Sequence, residues 1–274
     1  MRLNHNMSAL NIYNAYCKNL SKQNAAMSRI HSGLKVATAK DDPNKLSSSE
    51  HMKIQIRSLE MASRNTQDTI SMLQTADSAS QNISDSLIRI KELTIQAGGT
   101  GSEEDKKIIQ EEINSILEGI DDIAKNTEIN GKKILSSDKG ILVQCGSNAG
   151  EQTTIPTSDL SSSGLGLDGK VKVLTTEEIN KSIDTINTAI SKLNDCRSKM
   201  GAISNRLTSN TEMLNELSLK TQNAESSLTG ADISEEIIEY TKNNVLVNAG
   251  LSLMVQANKL PQDVLNIIGN IGKK

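Results

Sequence analysis

The chain has 274 residues, a formal net charge of −3 from 30 basic and 33 acidic side chains, and a hydrophobic content of only 36%. That balance gives no electrostatic case for nucleic acid, and no stretch reaches the ~18 consecutive apolar residues of a membrane span. With no Trp, no Phe and 1% aromatic residues, the chain lacks the large rings of a globular enzyme core. Ile, Leu, Ala and Met packed between helices fit the composition better.

The start, Met1-Arg2-Leu3-Asn4-His5-Asn6, leads into a polar, patterned segment and not into the apolar core of a cleaved signal. Over residues 3–30 an apolar stripe recurs at Leu3, Met7, Leu10, Tyr13, Cys17, Leu20 and Met27. Its steps of three and four predict a helix with one sticky face, ended near Gly33. Residues 41–97 then form the stretch around which the rest is organised. Asp41-Asp42-Pro43 suits a capped helix start and Gly98-Gly99 a helix stop, with no Gly or Pro from Asn44 to Ala97. A helix of that length runs about 80 Å, more than a small domain's diameter, which implies a rod. Its stripe includes Met52, Ile56, Leu59, Ile70, Leu73, Ile83, Leu87, Ile90 and Leu93.

Ser102 followed by Asp105 resembles a capping box, and Glu103 and Glu104 suit the positive end of a helix whose stripe is Ile109, Ile113, Ile116, Ile120 and Ile123. Asn130-Gly131 signals a turn, and residues 141–145 and 152–155 read as two strands of a hairpin. Residues 156–170, rich in Ser and Gly and without periodicity, read as a surface loop that tolerates deletion of 158–168. Thr175 with Glu178 caps a second long helix, with coiled-coil spacing through Ile186, Leu193, Met200, Leu207 and Leu214 and polar seam positions at Asn210 and Thr221. Gly230 ends or bends it. Asp232 with Glu235 caps a last helix bearing Ile233, Ile237, Tyr240, Val247, Leu251 and Met254, which Pro261 is expected to stop near Lys259. Val264 and Leu265 belong to a sticky tail.

No catalytic or metal-binding constellation emerges. His5, His31 and His51 stand in separate contexts, and neither a phosphate-binding loop nor a nucleophile elbow is present. Cys17, Cys145 and Cys196 form no CxxC and read as buried thiols. Function through packing surfaces, with no cofactor, is the expectation.

Several ordered blocks resemble the bacterial flagellins. Arg29-Ile30-His31-Ser32-Gly33-Leu34-Lys35-Val36 with Ala39-Lys40-Asp41-Asp42 is similar to the family's R-L-S-S-G-L-R-I…A-K-D-D. Ala62-Ser63-Arg64-Asn65, Arg89-Ile90-Lys91-Glu92-Leu93 and Gln256-Ala257-Asn258-Lys259-Leu260-Pro261-Gln262 resemble its A-S-R-N, R-V-R-E-L and Q-A-N-Q-V-P-Q. The likeness covers residues 1–135 and 177–268. His31, Pro43 and Ile129 depart from it, and the family's variable outer domain is reduced to residues 156–170.

The resemblance implies a mainly α fold: a long antiparallel helical rod or coiled coil, a small β-hairpin region, and terminal helices that form a filament core. It divides the chain into core helix and linker 1–40, rod helices 41–135, hairpin and variable loop 136–175, rod helix 176–230, and core helix and tail 231–274. The implied function is a structural subunit that polymerises into the flagellar filament. The alternatives are a hook–filament junction protein or another type III-secreted coiled-coil protein. Expected polymerisation contacts are Leu3, Met7, Leu10, Leu20, Met27, Ile237, Val247, Leu251, Met254, Val264 and Leu265. The implied partners are further copies of the chain, an export chaperone on the C-terminal segment, and flagellar cap and hook-associated proteins, with secretion to the cell exterior. A host Toll-like receptor is implied too, reading Arg89, an exposed Leu93 and Glu112. Ser and Thr residues of the loop from Ser158 to Asp168 are implied O-glycan sites.

Overall fold

The computed structural model describes residues 6–99 and 102–271, and the side chains of all of these except 260 and 264–271. Its helices are α1 (Met7–Ser32), α2 (Pro43–Gly99), α3 (Glu103–Asn126), α4 (Ser162–Leu165), α5 (Thr176–Thr229) and α6 (Ile233–Ile271). Two antiparallel strand pairs join them, β1 (Glu128–Ile129) with β2 (Lys132–Lys133) and β3 (Ile141–Gln144) with β4 (Gln152–Ile155). No described helix is long and apolar enough to cross a membrane.

The helix ends follow local chemistry. The Asp42 carboxylate accepts the Asn44 and Lys45 amides, each at 3.1 Å, just ahead of α2, and Pro43 takes the first position, where its missing N–H is harmless. Thr175 and Glu178 form a reciprocal box, with the Glu178 amide donating to Thr175 Oγ1 at 3.4 Å and the Thr175 amide to Glu178 Oε2 at 3.1 Å. Gly33 ends α1 in the left-handed region at φ 68°, a conformation open to glycine at little cost. Asn130 and Gly131 both have positive φ, 50° and 73°, the requirement of the two-residue turn between β1 and β2. Ser102 flanks α3, but its hydroxyl makes no capping bond. The carboxylates of Glu103, Glu104 and Asp105 provide the negative charge at that end instead.

The chain forms two compact units, Gln55–Lys220 and the pair Met1–Ile54 with Thr221–Lys274. The large apolar core lies wholly in Gln55–Lys220. There Ile83, Leu87 and Ile90 of α2, Ile113 and Ile120 of α3, and Ile186 and Leu193 of α5 are fully enclosed. The spacing of these residues at three and four is the reason the three helices pack lengthwise. The hairpin sits on this core: Asn210 Nδ2 donates to the Cys145 carbonyl at 3.0 Å. The polar seam position on α5 thus holds the end of β3.

Residues 156–170 correct the sequence reading. They are not a surface loop. Leu160, Leu165 and Leu167 are at most 2% exposed, and Thr157, Ser161 and Ser162 are buried as well. The segment includes α4 and is pinned just ahead of it and at its start. The Leu160 amide donates to the Leu135 carbonyl at 2.9 Å, and the Ser162 amide to Asp121 Oδ1 at 2.7 Å. The segment is therefore not expected to tolerate deletion, and the buried Ser161 and Ser162 are not glycan candidates. Three leucines spaced irregularly carry no helical or strand period, so periodicity could not reveal their burial.

The Asp121 contact has a pH signature. Partial burial pushes its carboxyl up, but the Ser162 amide and hydroxyl and Lys125 together hold it below the ordinary aspartate range. A lowered folded pKa means that the stabilisation is complete above the unfolded value of about 3.9 and is lost as pH falls through the folded one. Asp121→Ala is expected to lower stability by about 1 kcal/mol at neutral pH. The gap to wild type should close as pH falls below about 4. Urea midpoints from pH 7 down to 3 check this, and a gap independent of pH would contradict it.

In the unit of the chain ends, α1 lies antiparallel to α6. Arg29 Nη1 meets Glu236 Oε1 at 3.2 Å, Tyr16 lies over Gly250, and Asn6 Nδ2 reaches the Ala257 carbonyl at 2.8 Å. The linkers are stitched alongside, with the Lys35 amide donating to the Thr229 carbonyl at 2.7 Å and the Ala231 amide to the Gly33 carbonyl at 3.0 Å. Pro261 does not stop the last helix. It lies inside α6, which continues to Ile271, because the bond it removes at Ala257 is replaced from Asn6. Cys17 is exposed, and only Cys145 and Cys196 are buried thiols.

Candidate assembly interface

The α1–α6 pair is built with its small and polar residues inside. The buried described side chains of α1 and α6 are Ala26, Glu236, Asn243, Val247 and Ala257, with Ile12 and Tyr16 half-buried. Its large apolar residues point outward: Met7, Leu10, Tyr13 and Met27 of α1, and Ile233, Ile237, Ile238, Val245, Leu246, Leu251, Leu253 and Val255 of α6 are exposed. The α1 stripe found by periodicity is therefore the outer face, and the inner seam is a second, weaker one. At about 100° per residue, Ile237 with Val255, Ile238 with Val245, and Leu246 with Leu253 fall on three sides of α6. A helix apolar all round is one that is buried all round. Among the described residues nothing covers these faces, which leaves them open to a partner.

Of the expected contacts, Met7, Leu10, Met27, Ile237 and Leu251 are exposed, Leu20 and Met254 half-buried, and Val247 is buried at 7%. Val247 serves the seam within the chain, not an outer face. Leu3 and the side chains of Val264 and Leu265 lie outside the described residues. Ile238, Val245, Leu246, Leu253 and Val255 escaped the sequence reading because it kept one stripe per helix; the density of apolar residues in α6 was the signal. Among the polar members of the outer face, the Tyr13 hydroxyl is held above its ordinary pKa by a hydrogen bond with the Cys17 side chain one turn on.

Residues 3–139 match the model of the bacterial flagellin N-terminal helical region, and residues 183–268 that of the C-terminal helical region. The chain belongs to the flagellin family. It is 36% identical to a flagellin of Bacillus subtilis over 98% of this chain and all of that one. A flagellar filament 33 kDa core protein of Treponema phagedenis is 34% identical, again over 98% of this chain and 100% of its own length. The crystal structure of Bacillus cereus flagellin superimposes with a TM-score of 0.50 at 32% identity, covering 55% of this chain and 88% of that one. A putative flagellar hook-associated protein of Vibrio parahaemolyticus shares the fold, with a TM-score of 0.59 over 69% of this chain and 100% of its own, at 12% identity. That likeness shows the fold alone and does not favour the junction-protein alternative. As a flagellin, the chain is a structural subunit of the flagellar filament and belongs to a family of structural proteins.

The receptor residues divide. Arg89 Nη2 meets Glu112 Oε1 at 3.0 Å, and both side chains are exposed. The hydrogen bond and charge of Glu112 raise the already high Arg89 pKa further. Leu93 is 2% exposed, a seam residue of the core. It is not the exposed apolar member that the resemblance implied.

Proposed function

We infer that the subunits associate through the outer faces of α1 and α6, each copy covering the apolar surface that its neighbours leave open. The carrying observation is the inverted packing of that pair, small and polar between the helices and large and apolar outside. A heterologous contact that repeats without closing produces a helical filament. Sedimentation and electron microscopy of the purified chain test this; a protein that stays monomeric at high concentration overturns it. The family likeness supports finer roles that we propose for this chain too: export through the flagellar type III channel with a chaperone on the C-terminal segment, and cap and hook-associated proteins as further partners.

Recognition by the host Toll-like flagellin receptor is proposed for the monomer, at the Arg89–Glu112 pair. Ile108, exposed and one turn before Glu112 on α3, replaces Leu93 as the apolar neighbour of a hot spot. A receptor reporter assay is expected to show Arg89→Ala at least tenfold weaker than wild-type monomer. Leu93→Ala would act instead through core stability. Equal signals from wild type and Arg89→Ala, or none from wild type, would remove the assignment.

A further inference from the structure

Pro261 has no amide proton, so the carbonyl four residues earlier in α6, that of Ala257, receives no donor from its own helix. Ala257 is 7% exposed, and a carbonyl left unpaired there is unfavourable. Its donor comes from the other end of the chain. Asn6 Nδ2 donates to Ala257 O at 2.8 Å across 251 residues of sequence. The Oδ1 of the same amide accepts the Ala9 N–H at 3.1 Å and caps α1. One side chain therefore starts α1 and fills the gap in the α6 ladder. Both tasks need a donor and an acceptor on one short planar group, which Asn has and Asp and Ser lack in that arrangement.

We propose that Asn6 is a clasp that sets the register of α1 against α6, with the carbonyl freed by Pro261 as its receptor. The rest of the seam marks register weakly. Its buried side chains are small or polar apart from Val247, Ile12 and Tyr16 are only half-buried, and the opposite end is held by an ion pair whose Arg29 member is 40% exposed. The clasp is directional and short, and it engages only one carbonyl in α6, because Pro261 is the only proline there. Register matters because it aligns the outer stripe of α1 with those of α6. The clasp thus acts as a positioning residue for polymerisation, and the proposal rests on the assembly reading above.

The test is the critical concentration for polymerisation of four full-length chains: wild type, Asn6→Asp, Pro261→Ala and the double variant. Asp keeps the helix cap but replaces the donor with an oxygen facing the carbonyl. Pro261→Ala restores a helical N–H to Ala257, making the clasp redundant. Asn6→Asp is expected to raise the critical concentration about tenfold, the upper range for one hydrogen bond. In the Pro261→Ala background the same change should raise it threefold or less. A merely structural cap would give no such rescue. A wild-type value for Asn6→Asp, or an equal factor in both backgrounds, overturns the clasp. Should the wild type form no filaments, the assembly reading falls on that arm alone. Amide exchange along α1 then decides the clasp, and Asn6→Asp exchanging at the wild-type rate overturns it.

Discussion

A chain lacking residues 1–30 or 233–274 is expected to stay monomeric where the full chain forms filaments, while its Gln55–Lys220 unit remains folded. Both halves of the expectation come from where apolar burial lies. All clustered core residues belong to that unit, so removing α1 or α6 takes no side chain from it. The eight large apolar residues exposed on α6 are partly covered already. Completing their burial at roughly half of the ~1.5–3 kcal/mol for each full side chain contributes about 6–12 kcal/mol. The four on α1 add about 3–6 kcal/mol. Association itself costs an estimated 4–15 kcal/mol. Loss of either helix therefore moves assembly from favourable to unfavourable, the more so because its partner loses the seam. Sedimentation reads the first half and thermal unfolding by circular dichroism the second. Filaments from either truncated chain, or a collapsed melting midpoint, would contradict the account.

The long helices were legible because their signals are local. Asp42-Pro43, Thr175 with Glu178, and Gly33 act within a turn of their own position, and each does what its chemistry suggests. Three features were not legible, each for a physical reason. The outward stripe of α1 looks in sequence like a core stripe, since periodicity reports amphipathicity and not which molecule covers the face. Pro261 reads as a stop because its compensation comes from Asn6, far away in sequence. Leu93 follows Arg89 by one turn, which suggests one surface, yet it turns into the seam and is buried while Arg89 reaches out along its flexible stem to Glu112. The resemblance placed the family correctly, but it could not say which side chains of a motif face solvent.

Deletion of residues 158–168 is expected to destabilise the Gln55–Lys220 unit severely, although the segment reads as a dispensable Ser- and Gly-rich loop. It removes Leu160, Leu165 and Leu167, all at most 2% exposed, and at ~1.5–3 kcal/mol each their burial contributes about 5–9 kcal/mol. The loss does not end there. The Leu135 carbonyl loses the Leu160 amide, held at 2.9 Å, and Asp121 loses the Ser162 amide at 2.7 Å. Against a typical total stability of ~5–15 kcal/mol for a domain, this is enough to unfold the unit or leave it marginal. A three-residue Gly-Ser insertion between Asp168 and Gly169 is the contrasting case. Residues 168, 169 and 170 are exposed and form a turn, so the insertion removes no buried side chain, opens only the 3.1 Å turn bond from the Lys170 amide to the Leu167 carbonyl, and should shift stability by about 1 kcal/mol or less. Urea unfolding of the two variants beside wild type separates packing from composition. The deletion should lose most of the midpoint and the insertion almost none. A deletion variant with the wild-type midpoint would mean that the three leucines hold nothing together and that the segment is a surface loop after all.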